Sequence, residues 1–263
     1  MAVERKYNSQ LGAGLGMISE TIELLRLWQP GDGPASLVKR AVEEGIFSRA
    51  TAYRTRNLVV QMFAPRFMRD GGAAAFRLKS LLERRFAHES LVQLFYLYTC
   101  RYQAVLFDFI VSVYWPKYSA GAPALNKEDA RAFLLKAQDT GRAGVKWSES
   151  VTDHVARYVV GSCIDFGLLG EGTVKHRPFL RYVLRSEAAL YLAHDLHFSG
   201  LGDQAILAHP DWKLFGLEPA EVAGVLAKLG NDGHLVIQSA ADLVQISWKY
   251  QTMEECLNAL TER

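Results

Sequence analysis

The sequence predicts a mainly α protein, a helical bundle with a helix-turn-helix-like N-terminal half and a winged-helix-like β-hairpin near its C-terminal end. Three observations lead there. Apolar residues recur at spacings of three and four along most of the chain, the period of a helix with one buried face. Residues 36–69 read as a helix, a tight turn and a second helix studded with arginine. From Glu218 onward a helical segment gives way to two β-branched runs, His234 to Gln238 and Leu243 to Trp248.

Taken in order, Leu15, Ile18, Ile22, Leu25 and Trp28 mark a first helix over 13–28, ended by Pro30-Gly31-Asp32-Gly33. Leu37, Val38, Ala41 and Val42 place the apolar face of the next, and Gly45 falls where a helix end favours positive φ. Ser48 fits as the N-cap of the second helix. From it Arg49, Thr51, Ala52, Tyr53, Arg54 and Arg56 are expected outward and Leu58, Val59, Met62 and Phe63 inward. A helix over Ala73 to Phe86 carries the basic surface onward.

Between Ser36 and Arg85 eleven lysines and arginines stand against four carboxylates, an excess of seven in a chain whose net charge is +2. The positive charge is therefore concentrated on the helix-turn-helix-like region, as an electrostatic footprint on a nucleic acid requires. Arginine forks suit guanine edges and phosphates, and Thr and Ala suit thymine methyls. The expected DNA-facing set is Lys39, Arg40, Arg49, Thr51, Tyr53, Arg54, Arg56, Arg66, Arg77, Lys79, Arg84 and Arg85. Against it stands a plain solvated helical surface, the usual fate of a charge run.

Residues 91–115 are apolar and long enough to span a bilayer. Arg101 and Asp108 lie in the middle, each costing about 2.5 to 3.5 kcal/mol at a membrane-helix centre. Seven residues apart, they would share one face of a single helix. An interior helix closed by Trp115-Pro116 is expected instead, with no membrane span. The N-terminus lacks the apolar core and cleavage site of a secretory signal, so the cytoplasm is the expected compartment.

Ser119 to Pro123 is the best linker, giving expected domains of 1–118 and 119–263. Beyond it, Asn126 caps a helix with Glu128 and Asp129 in its first turn, and Ser148 begins another that stops at Gly167. Residues 181–198 read as helical, and Asp211 to Leu217 as a short helix and turn. The helix after Pro219 carries Glu218 and Glu221 at its start and a single cation, Lys228, which favours packing or protein contact over groove reading.

The cluster His176, His194, Asp195, His197, Asp203, His209 and Asp211 invites comparison with His/Asp metal-dependent phosphohydrolases. Such sites draw ligands from several helices, whereas most of these crowd into one helix and the loop after it. Gly12 to Gly16 has no preceding strand and lacks dinucleotide-loop spacing. No phosphate-cradling loop ends in Gly-Lys-Ser or Gly-Lys-Thr. Cys100, Cys163 and Cys256 lie far apart and read as buried free thiols. No catalytic residue, metal ligand or cofactor is expected.

A family resemblance adds to this reading. The opening YNSQLGAGLGMISET, the segment SRATAYRTRNLVVQMFAPRFM, the run LFDFIVSVYW, the block WSESVTDHVARYVVGSCIDFGLL, the segment YLAHDLHFSGLGDQAILAHPDWKLFGL and the terminal IQSAADLVQISWKYQTMEECLNAL together resemble BrxA, a small component of BREX phage-defence systems. The resemblance covers nearly the whole chain. It implies a mostly helical protein similar to the antitermination factor NusB. Such a protein binds DNA and works beside the methyltransferase, phosphatase-like and ATPase components of BREX, and the basic half of this chain makes duplex DNA the expected partner. It carries over no catalytic residue and no contact motif. The alternatives are an RNA-binding or scaffolding protein of the same system, and the metal-dependent phosphohydrolase.

Overall fold

The computed structural model describes residues 6–7, 16–48, 50–173, 175–240 and 243–262. It is mostly helical with small antiparallel strand pairs, the expected mainly α class. The chain begins with α1 (Ile18–Leu27), α2 (Pro34–Glu43) and α3 (Ala52–Asn57). A π turn (Leu58–Phe63) continues α3 into α4 (Ala64–Phe67). After a 3-10 turn come α5 (Ala73–Glu83), α6 (His88–Tyr102) and α7 (Ala104–Phe109). A second π turn (Ile110–Tyr114) leads into α8 (Trp115–Ser119). The middle of the chain holds β1 (Ala124–Leu125), α9 (Lys127–Asp139), α10 (Glu149–Asp165) and β2 (Arg177–Pro178). It ends with α11 (Ser186–Phe198), α12 (Asp203–Leu207), a 3-10 helix (Pro210–Phe215), α13 (Pro219–Asn231), β3 (Leu235–Ala240), β4 (Leu243–Trp248) and α14 (Met253–Thr261).

Local chemistry sets many of these boundaries. The Asn126 side chain accepts the Asp129 amide while Asp129 reaches back to the Asn126 amide, a reciprocal cap on α9. Ser148 caps α10 by accepting the Val151 amide. Gly167, at φ 76°, ends α10 with paired bonds from Gly167 to Ile164 and from Leu168 to Cys163. The same closure ends α5 at Arg85, which holds φ 59° where other helices use glycine.

Residues 91–115 are not one helix. Gln103 leaves helical geometry at φ −96° and ψ 87°, separating α6 from α7. Arg101 and Asp108 therefore do not share a helix face. Arg101 lies over the Tyr98 ring at 5.2 Å. Asp108 accepts bonds from Tyr7 and Arg142, each at 2.6 Å. Among the described residues no helix is long and apolar enough to cross a membrane.

Nor does Trp115-Pro116 close the segment. A proline inside a helix offers no N–H to the carbonyl four residues back, and its ring collides with that carbonyl. Here the amide just before each proline bonds five residues back, Ala64 to Val59 and Trp115 to Ile110. The helix widens by one residue and runs on through Pro65 and Pro116.

The chain forms two compact units, Met1–Lys79 with Phe95–Tyr182, and Ser80–Leu94 with Val183–Arg263. Residues 119–182 thus group with the N-terminal stretch rather than separating from it at 118. In this first unit Phe109 meets Phe133 of α9 with ring centroids 5.6 Å apart, and β1 pairs with β2 through Leu125↔Arg177. Trp28 packs over Gly72, whose φ is 82°, and a Cβ there would lie 2.8 Å from the indole. Cys100 and Cys163 are buried and free, as is Cys256 in the second unit.

In the second unit the expected helix and hairpin are present. β3 and β4 are antiparallel with Leu235 opposite Trp248 and Ile237 opposite Ile246. Asp203 accepts the Ile246 amide at 2.9 Å and so ties the start of α12 to β4. The expected 181–198 helix begins only at Ser186, because Gln93 holds the preceding chain extended by bonding the Val183 carbonyl and the Arg185 amide.

Candidate nucleic-acid interface

The candidate interface lies in the first unit, on α2 and the helix that starts at α3. Pro34 sits in the first turn of α2, where its missing N–H costs nothing. Leu37 and Ala41 bury the inner face, while Lys39 and Val42 remain exposed. Gly45 at φ 60° terminates the helix with bonds from Gly45 to Val42 and from Ile46 to Ala41. The turn falls where glycine marks it in the sequence.

The second helix begins later than Ser48. Its cap is Thr51, in extended backbone, whose hydroxyl accepts the Arg54 amide at 3.1 Å. Ser48 lies in the turn, Arg49 lies outside the described residues, and Thr51 serves the backbone with the group expected to face a base. From Ala52 the faces separate cleanly. Thr55, Leu58, Val59, Met62, Phe63 and Phe67 are buried. Tyr53, 74% exposed, and Arg54 and Arg56 point to solvent.

The other expected cations divide by environment. Arg40 donates to the Leu27 carbonyl and to Asp32, both at 2.8 Å, and so locks the loop between α1 and α2. Lys79 donates to the carbonyls of Leu25 and Arg26 at the end of α1, where a cation complements the helix dipole. Arg66 is corrected outright. It is only 4% exposed, and burial lowers its guanidinium pKa to about 10, so it belongs to the interior. Arg77 is half-buried on α5. Arg84 and Arg85 are exposed but lie in the second unit, where Arg84 bonds Asn258. Arg69, outside the expected set, sits over the Tyr102 ring at 4.9 Å, a contact with no sequence spacing to announce it.

The family model described as BrxA matches residues 5–195. The chain belongs to the BrxA family. That membership makes it a component of BREX systems. A crystal structure of an uncharacterized protein from Magnetospirillum magneticum is similar in fold, with a TM-score of 0.58 and 16% identity over 74% of this chain and 95% of that one. No curated protein matches the sequence.

The BrxA match ends inside α11, the helix that carries His194, Asp195 and His197. His194 is fully buried, bonds the Leu190 carbonyl through Nδ1 and meets the Trp248 ring edge-on at 4.9 Å. Burial lowers its pKa to about 4. His197 stacks on Trp248 at 4.3 Å, and Asp203 is committed to the Ile246 amide. Among the described residues no three His, Cys, Asp or Glu side chains are placed to hold a metal ion. His194 and His197 pack α11 against Trp248 at the base of the hairpin.

Proposed function

We propose that this protein is a non-catalytic DNA-binding component of a BREX phage-resistance system, contacting duplex DNA through the outer face of the helix that begins at Ala52. The observation that carries the reading is the two-faced character of that helix. Its apolar side is fixed against the core of the first unit, while Tyr53, Arg54 and Arg56 stand exposed around its first turns. An α-helix fits the major groove, and arginine forks match guanine edges and phosphate oxygens. Lys39 on α2 and Arg77 on α5 add cations of the same unit. Glu218 and Glu221 are engaged in capping α13 and repel phosphate, so that helix is no second reader. The protein acts in the cytoplasm beside other BREX components.

Titration of the full chain against a labelled DNA duplex, with duplex RNA as competitor, tests this. About four phosphate contacts give log K falling with log salt at a slope of about −3.6, from roughly −0.9 per contact. DNA should hold against equimolar RNA. A salt-independent response, or preferential displacement by RNA, contradicts it.

A further inference from the structure

We propose that residues 168–173 and 175–181 form a second phosphate-binding element, a basic β-ribbon that grips the backbone of duplex DNA; this rests on the DNA-binding reading above but uses different residues.

The ribbon is built on a buried base. Leu168 and Leu169 are buried, and the Tyr114 hydroxyl donates to the Leu168 carbonyl at 2.9 Å. The two limbs are joined by backbone bonds from Leu180 to Leu168 at 3.0 Å and from Gly170 to Pro178 at 2.8 Å. Leu169 pairs with Phe179, and Thr173 with His176. On its other side the returning limb is zipped to β1. The Phe179 ring packs on Tyr114 and Tyr118, with centroids 5.1 and 5.7 Å apart. At Gly172 the limbs approach so closely that a Cβ would lie 2.3 Å from the His176 carbonyl oxygen, so glycine is required.

What this scaffold presents is positive charge. The ribbon carries Lys175, His176, Arg177 and Arg181 against a single carboxylate, Glu171, and from Gly172 to Tyr182 there is none. Lys175, His176 and Arg181 are exposed and Arg177 is half-buried. Several other cations of the same unit are spent internally: Arg142 on Asp108, Lys117 on Asp129, and Lys127 and Arg131 on Asp153. Among the described residues no carboxylate lies within ion-pair distance of Lys175, Arg177 or Arg181. Charge left pointing at solvent from a rigid mount, with Leu180 as the ribbon's one exposed large apolar side chain among the described residues, is the pattern of backbone contact rather than of a protein interface, whose core is aromatic-rich. Here the aromatic Phe179 faces inward. A two-stranded ribbon also has the dimensions of the major groove.

The test is duplex binding by full-length Lys175→Glu/Arg181→Glu, with Lys175→Gln as a milder variant at the exposed tip. The double reversal should weaken the dissociation constant at least tenfold and make the salt slope shallower by about 1.8, two contacts at roughly 0.9 each. Lys175→Gln should shift both in the same direction by less, which decides the matter should the reversal disturb folding. Wild-type affinity and slope in both variants overturn the ribbon alone if the Arg54→Ala/Arg56→Ala protein still loses binding. Absence of binding by the wild-type protein overturns the DNA reading and the ribbon with it. Unchanged DNA affinity together with lost retention of other BREX components assigns the ribbon to a protein partner and likewise overturns the proposal.

Discussion

The hydroxyl of Thr51 accepts the backbone N–H of Arg54 at 3.1 Å, so the residue that opens the second helix also fixes the backbone of its first outward arginine. The cap satisfies an amide that has no partner within the helix, at the end where a phosphate would approach.

Removing that cap separates helix order from side-chain chemistry. Thr51→Ala should cost about 1 kcal/mol of stability and weaken DNA binding modestly, while Thr51→Ser should restore both. Chemical denaturation and a binding titration on the same samples check this. Full affinity in a destabilised Thr51→Ala protein would show that the start of the helix does not matter to the interface.

Arg66 should behave as an interior residue despite its charge. Arg66→Ala removes a buried side chain and its packing, so stability should fall by about 2 kcal/mol or more. The salt slope of DNA binding by the folded fraction should not change. A shallower slope with unchanged stability would return Arg66 to the surface set.

His194 gives the second unit an acid sensitivity. Its folded pKa, about 4, lies below the ordinary value of 6.5, because burial among α11 and the hairpin rings disfavours the charged form. The fold therefore favours the neutral ring. Its contribution is fully present above about pH 6.5 and is lost as pH falls toward about 4, a span worth roughly 3 kcal/mol. Denaturant melts at pH 7 and pH 4.5 should show a smaller acid loss in His194→Gln than in the wild-type chain. Equal losses would place the acid sensitivity elsewhere.

The parts of this fold legible in the sequence are those decided within a few residues. Asn126 and Ser148 cap their helices because a short polar side chain reaches the amide three residues on. Gly45 and Gly167 end theirs because the left-handed region favours glycine. The helix and hairpin after Pro219 announced themselves by a change from helical period to β-branched runs. What was not legible depends on distant partners. Gln103 breaks a continuous apolar run, and the π turns carry the chain through Pro65 and through Pro116, which reads as a stop. The cations of the expected interface looked alike in sequence. Packing buries Arg66, carbonyls three-dimensionally adjacent claim Arg40 and Lys79, and Arg84 bonds Asn258 of the second unit. The carboxylate-free stretch from Gly172 to Tyr182 is short and lies far along the chain from the cations between Ser36 and Arg85.

The most direct test of the central claim is the salt dependence of duplex binding by Arg54→Ala/Arg56→Ala beside the wild-type chain. Both side chains are exposed, so thermal stability should change by less than about 0.5 kcal/mol. Loss of two phosphate or base contacts should weaken binding at every salt concentration and make the slope shallower by up to about 1.8. A folded double variant that binds duplex DNA with wild-type affinity and wild-type slope would contradict the assignment of this helix as the DNA-contacting surface.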